Sequence, residues 1–129
     1  MKKILSIAFL FTLMHVEAKT PEIFDEITES IKTGDVRNLS TYFNSTIDLT
    51  VGNQENTYSK AQAEQILREF LLTNKPASFS IIHQGISKEG AKYAIGSLVT
   101  TMGRKFRVYL YIKQVDGSFL VNELRFMPE

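Results

Sequence analysis

A chain of 129 residues, 43% apolar, with 15 basic against 14 acidic side chains and no cysteine, has the length and composition of one globular domain. The balanced charge leaves no basic field to gather nucleic acid through counterion release. Without cysteine, thiolate catalysis, zinc-cysteine sites, disulfides and a lipid-bearing cysteine are excluded.

Residues 1–18 have the pattern of an export signal: Lys2 and Lys3, an apolar run from Ile4 to Met14, and Val16-Glu17-Ala18 ahead of a cleavage point after Ala18. A buried first helix is the alternative reading. The run is about half of the ~20 apolar residues that a bilayer span takes, so no membrane anchor is expected. Cleavage would leave residues 19–129 as one domain, exported to the periplasm or the medium.

Three helical stretches come next. Thr20 caps and Pro21 opens the first, whose stripe is Ile23, Phe24, Ile27 and Ile31, with Gly34 as its stop. Asp35 caps a shorter second helix that turns Val36, Leu39, Tyr42 and Phe43 inward. Thr46–Val51 alternates as a strand and Gly52-Asn53 turns the chain. Ser59 and Gln62 form a capping box for the third helix, whose stripe is Ala63, Ile66, Leu67, Phe70 and Leu71.

From Phe79 to Met127 the pattern is strand. Reading Met102-Gly103 and Asp116-Gly117 as two-residue hairpin loops, and Lys88-Glu89-Gly90 as a three-residue one, fixes a register. One face then holds Phe79, Ile81, His83, Tyr93, Ile95, Ser97 and Val99, followed by Phe106, Val108, Leu110, Ile112, Phe119, Val121, Glu123 and Arg125. The opposite face holds Ala94, Gly96, Leu98, Thr100, Arg107, Tyr109, Tyr111, Lys113, Leu120, Asn122, Leu124 and Phe126. The first face is the more aliphatic and is expected to be the concave one, packed on the helices. A bulge would shift part of this map.

The order of elements, with Tyr58-Ser59-Lys60-Ala61-Gln62-Ala63, His83-Gln84-Gly85, Tyr93-Ala94-Ile95-Gly96, Phe106-Arg107-Val108-Tyr109 and Glu123-Leu124-Arg125, resembles the nuclear-transport-factor-2-like superfamily. Within it, the chain is most similar to a family of small exported bacterial domains of unknown function. The resemblance implies an α+β fold, a cone of three N-terminal helices packed on a curved antiparallel sheet. It imports no activity. In ketosteroid isomerase of this superfamily, a carboxylate base projects from the first strand shortly before a Val-Gly pair. Anchoring on Val51-Gly52 puts Leu49 at that position and Asp48 one residue early, on the opposite face.

With no catalytic residue identified, five polar side chains expected on the concave face are the candidate ligand-binding set: His83, Tyr93, Ser97, Glu123 and Arg125. Glu123 and Arg125, two apart on one strand, either pair as a structural stitch or meet a ligand together, Arg125 holding an anionic group and Glu123 fixing orientation. His83 and Glu123 lie in one cross-strand row, about 14 Å apart in a flat sheet, too far for a dyad. His15 falls in the signal, so His83 stands alone and a histidine metal site is not expected; no cofactor is expected either. On the opposite face Leu98, Arg107, Tyr109, Tyr111, Leu124 and Phe126 make an apolar and aromatic patch suited to a partner, including a second copy of the chain, unless a helix or the first hairpin covers it. The expectation is a non-catalytic binding module that takes a small ligand in the cone or a protein on its sheet face. A small cone-fold isomerase, dehydratase or hydrolase acting on an apolar substrate is the alternative.

Overall fold

The structure, a computed structural model, describes residues 23–129; the proposed export signal, His15 and the Thr20-Pro21 helix start lie outside the described residues. Helix α1 (Ile23–Thr33) buries Phe24, Ile27 and Ile31 on one side, as their spacing requires. It ends at Gly34, whose φ of 73° only glycine adopts without strain. The Gly34 amide donates to the Ile31 carbonyl and the Asp35 amide to that of Ser30, closing the last turn. Asp35 at once caps the five-residue α2 (Val36–Ser40), its carboxylate accepting from the Asn38 amide.

Strands β1 (Phe43–Val51) and β2 (Gln54–Ser59) form a hairpin, and Ser59 caps α3 (Lys60–Thr73) through the capping box with Gln62. Strands β3 (Pro76–Ile86), β4 (Lys92–Thr100), β5 (Lys105–Val115) and β6 (Ser118–Pro128) follow as an antiparallel meander. The chain is therefore α+β, with one six-stranded sheet in the order β2-β1-β6-β5-β4-β3, in which β1 lies parallel to β6. The helices do not form one N-terminal block, because β1 and β2 precede α3.

One side of the sheet carries the core. Ile47, Leu49, Leu98, Val108, Leu110, Ile112, Val121, Leu124 and Phe126 are buried there with Ile27 and Ile31 of α1, Leu39 of α2 and Leu67 of α3. Phe70 clamps α3 to the sheet, its ring 5.2 Å from Phe106 edge-on and 5.1 Å from Phe126. No buried side-chain polar atom among the described residues lacks a hydrogen-bond partner.

The register differs from the sequence-based one at three places, each a slip of one residue. The β4–β5 connection spans Thr101-Met102-Gly103: the Thr100 amide donates to the Arg104 carbonyl, and the Gly103 amide returns to Thr100. A two-residue type I′ loop needs φ > 0 at both central residues. Gly103 has it, at 81°, and Met102 does not. In β6 the register jumps at Asn122, whose side-chain amide donates to the Leu120 carbonyl and whose carbonyl oxygen accepts from Asn44. In β3 it jumps at Ile82. Asp116-Gly117 is the two-residue loop expected, with φ of 49° and 83°, and Lys88–Gly90 the three-residue one, closed by the Ser87 amide on the Ala91 carbonyl.

Candidate functional site

The slips reassign the faces. Tyr93, Ile95, Ser97 and Val99 turn outward together with β5's Arg107, Tyr109 and Tyr111, and the bulge at Asn122 brings Glu123 and Arg125 to the same side. The expected concave placement of His83, Tyr93, Ser97, Glu123 and Arg125 is thus corrected: all five lie on the outer face. Leu98, Leu124 and Phe126, expected outside, are wholly buried in the core. Arg107, Tyr109 and Tyr111 remain outside, so the two candidate sets fuse into one surface.

Cross-strand rows organise this surface. The central row runs His83, Ile95, Tyr109, Arg125 and the next Gly85, Tyr93, Tyr111, Glu123, with Asp48 of β1 beside Glu123. Tyr93 lies across Gly85, where a Cβ would come within 2.4 Å of its hydroxyl. Its ring centroid is 5.7 Å from that of His83, and the hydroxyl is 3.5 Å from His83 Nε2. His83 and Glu123 stand in different rows with Ile95, Tyr109 and Tyr111 between their strands, so no His-Glu dyad forms.

Arg125 is the electrostatic centre. Its Nε donates to Glu123 Oε1, and its Nη2 lies 3.7 Å from Glu55 Oε1 on β2. The hydrogen bond that Arg125 donates to Glu123 raises its pKa above the usual guanidinium value, with burial opposing. Burial, then the charge of Glu123, raises that of Tyr109. Arg107 Nε is held 3.0 Å from Glu129 Oε1. Between the two arginines lies a depression of about 390 Å³ lined by Ile95, Arg107, Tyr109, Glu123, Arg125 and Met127. Two cations, an aromatic hydroxyl and an apolar floor suit it to a carboxylate-bearing side chain or an aromatic ring of a partner.

Asp48 also faces outward, accepting a 2.6 Å hydrogen bond from Thr57 Oγ1, whereas Leu49 is buried. Among the described residues no group of three or more His, Asp or Glu side chains is placed to hold a metal ion. No described helix is long and apolar enough to cross a membrane.

Helices on one face of a six-stranded sheet that ends in a four-strand meander are the architecture of nuclear-transport-factor-2-like proteins. An ntf2-like protein of unknown function from Shewanella baltica superposes with a TM-score of 0.62 over 84% of this chain and 89% of that one, at 17% identity, a likeness of fold alone. The chain belongs to the DUF4783 family, a domain of unknown function, which matches residues 24–127. Two solved DUF4783 proteins are similar to it. One, from Bacteroides ovatus, shares 29% identity over 81% of this chain and 93% of its own, with a TM-score of 0.75. The other, from Bacteroides uniformis, shares 25% over 83% and 97%, with a TM-score of 0.77. No curated protein matches the chain.

Proposed function

We propose that this protein is an exported, non-catalytic binding module: a nuclear-transport-factor-2-like cone with a solid interior, which acts through the outside of its sheet by packing against a second copy. The observation that carries the reading is the convergence of Tyr93, Ile95, Tyr109, Tyr111, Arg107 and Arg125 on one accessible face, while the core side is filled by aliphatic and phenyl side chains. Tyrosine and arginine are enriched at interface centres. The face also complements itself, since arginines and the carboxylates Glu55, Glu123 and Glu129 share it and a two-fold related copy can exchange them. Leu49 in the core, at the position of the isomerase base, supports a role without acid-base chemistry. The signal pattern of residues 1–18 supports export.

Sedimentation of the purified protein tests the interface. Tyr109→Asp places a charge at the centre of the face and is expected to halve the mass of the assembly without unfolding it. A mass unchanged by the substitution would refute this surface.

A further inference from the structure

A pocket of about 560 Å³ opens between the last turn of α3, the β1–β2 turn, the β4–β5 loop and the end of β6. It shares no lining residue with the depression between Arg107 and Arg125 on the outer face. Its size lies within the range of about 300–1,000 Å³ usual for small-molecule sites. Backbone hydrogen bonds hold its walls. Asn74, only 8% exposed, gives its main-chain and side-chain amides to the Phe70 carbonyl, at 2.8 and 3.1 Å. The Gly52 amide donates to the Phe126 carbonyl at 2.9 Å, and the Glu129 amide to that of Lys105 at 3.0 Å. The Thr101 amide ties the β4–β5 loop to the Lys75 carbonyl at 2.8 Å. The pocket is thus shaped before anything enters it, and binding has little to order.

Its lining joins an apolar wall to charge that has no partner. Val51, Phe70, Phe106 and Pro128 supply the wall. Arg68, Arg107 and Arg125 each have a carboxylate within ion-pair distance. Among the described residues Arg104 and Lys105 have none, and both line the pocket. Glu129, its one acidic lining residue, is already held by Arg107 at 3.0 Å. An anion with an apolar body satisfies both parts of such a site, whereas phosphate or sulfate alone would leave the phenyl wall uncovered. The end of α3 sets the orientation. Its terminal carbonyls carry partial negative charge, so a carboxylate belongs at Arg104 and Lys105 and its hydrocarbon against Phe70 and Phe106.

We propose that this pocket binds an amphiphilic monocarboxylate of the medium-chain fatty acid type, with its head on Arg104 and Lys105 and its chain along the Phe70–Phe106 wall. The site is separate from the contact between copies through the outer face, and neither depends on the other.

The test is titration of the ¹⁵N-labelled protein with octanoate, butyrate and octan-1-ol at neutral pH. Octanoate should give saturable amide shifts centred on Val51, Gly52, Phe70, Asn74 and Lys105. Butyrate should bind more weakly, because it lacks most of the hydrocarbon. Octan-1-ol, which keeps the chain without the charge, should bind about ten-fold more weakly or worse. Shifts that do not saturate or that centre elsewhere would overturn the proposal, as would equal affinity for the acid and the alcohol. Arg104→Gln with Lys105→Gln, both at exposed positions, should weaken octanoate about ten-fold or more with no change in urea unfolding. Lys88→Gln with Lys113→Gln removes as much charge outside the pocket and must leave the affinity as it was. Equal losses from the two pairs would mean general attraction rather than a site. Octanoate binding must also survive Tyr109→Asp, so that failure of the interface and failure of this pocket are read separately; loss of binding there would move the ligand to the outer face and overturn the assignment.

Discussion

On β6, Leu124 and Phe126 have no surface in contact with water, whereas the side chains of Glu123 and Arg125, which alternate with them, keep 22% and 37% of theirs. Strands β4 and β5 show the same contrast between a side fixed by packing and a side fixed only by pairwise contacts with its neighbours. The lesson is that adjacent residues in this sheet answer to different energies. Burial of apolar surface stabilises the core side by an amount that removal of one side chain forfeits together with the void it leaves. Exposed ion pairs on the other side contribute little, because water and salt screen them.

That contrast is sharpest for Phe126→Ala against Arg125→Ala. The first should cost about 3–5 kcal/mol of stability and the second under about 1 kcal/mol, measured by urea unfolding at neutral pH. Comparable losses would mean that the outer face carries the fold as the core does. Glycine substitutions probe the same division at smaller scale. A Cβ on Gly96 would come within 2.5 Å of the Phe79 ring and 3.1 Å of the Ser80 carbonyl, both held by the core. Gly96→Ala should therefore cost about 1–3 kcal/mol. Gly85→Ala meets only the outer end of Tyr93, which can swing into solvent, and should change stability by less than about 0.5 kcal/mol. A larger loss at Gly85 than at Gly96 would reverse the assignment of faces. The smallest effect belongs to pH. Burial and the negative charge of Glu123 raise the Tyr109 pKa, with Tyr111 and Tyr93 adding to this and Arg125 opposing. Its contribution to stability is therefore complete below the unfolded value of about 10 and is lost as pH rises through the higher folded value. Melting temperatures followed into the alkaline range should fall less steeply for Tyr109→Phe than for the parent protein, and parallel curves would show that this phenol does not couple to folding.

Much of the fold was legible in the residues because local chemistry and global architecture agree. Gly34 and Asp35, the Ser59-Gln62 box and the Asp116-Gly117 loop each occupy the conformation their type prefers. Strand β2 left no such trace: Gln54–Ser59 is almost entirely exposed, so no apolar alternation marks it. The faces were misread for a more particular reason. Periodicity of two says which residues share a side and not which side, and each one-residue slip inverts the answer for all that follows. One slip was readable, since Met102-Gly103 lacks the asparagine or aspartate that a type I′ loop wants before glycine. The bulge at Asn122 was not, because its hold depends on Asn44, brought there from 78 residues away by the parallel β1–β6 pairing. The slips thus bring His83, Tyr93, Ser97, Glu123 and Arg125 to the same face as Arg107, Tyr109 and Tyr111, and send Leu98, Leu124 and Phe126 into the core.

The bulge at Asn122 makes chain length a carrier of information in this protein. It acts as a phase shifter between two halves of one strand: with it, the final four residues of the alternating pattern send their phenyl and leucine inward and their charges outward. Regular pairing through Asn122 would exchange them, driving a carboxylate and a guanidinium into the core while every side chain kept its identity. Substitutions in β6 act one position at a time, whereas a residue inserted or removed in the regularly paired stretch after Asn122 inverts every side chain beyond it at once.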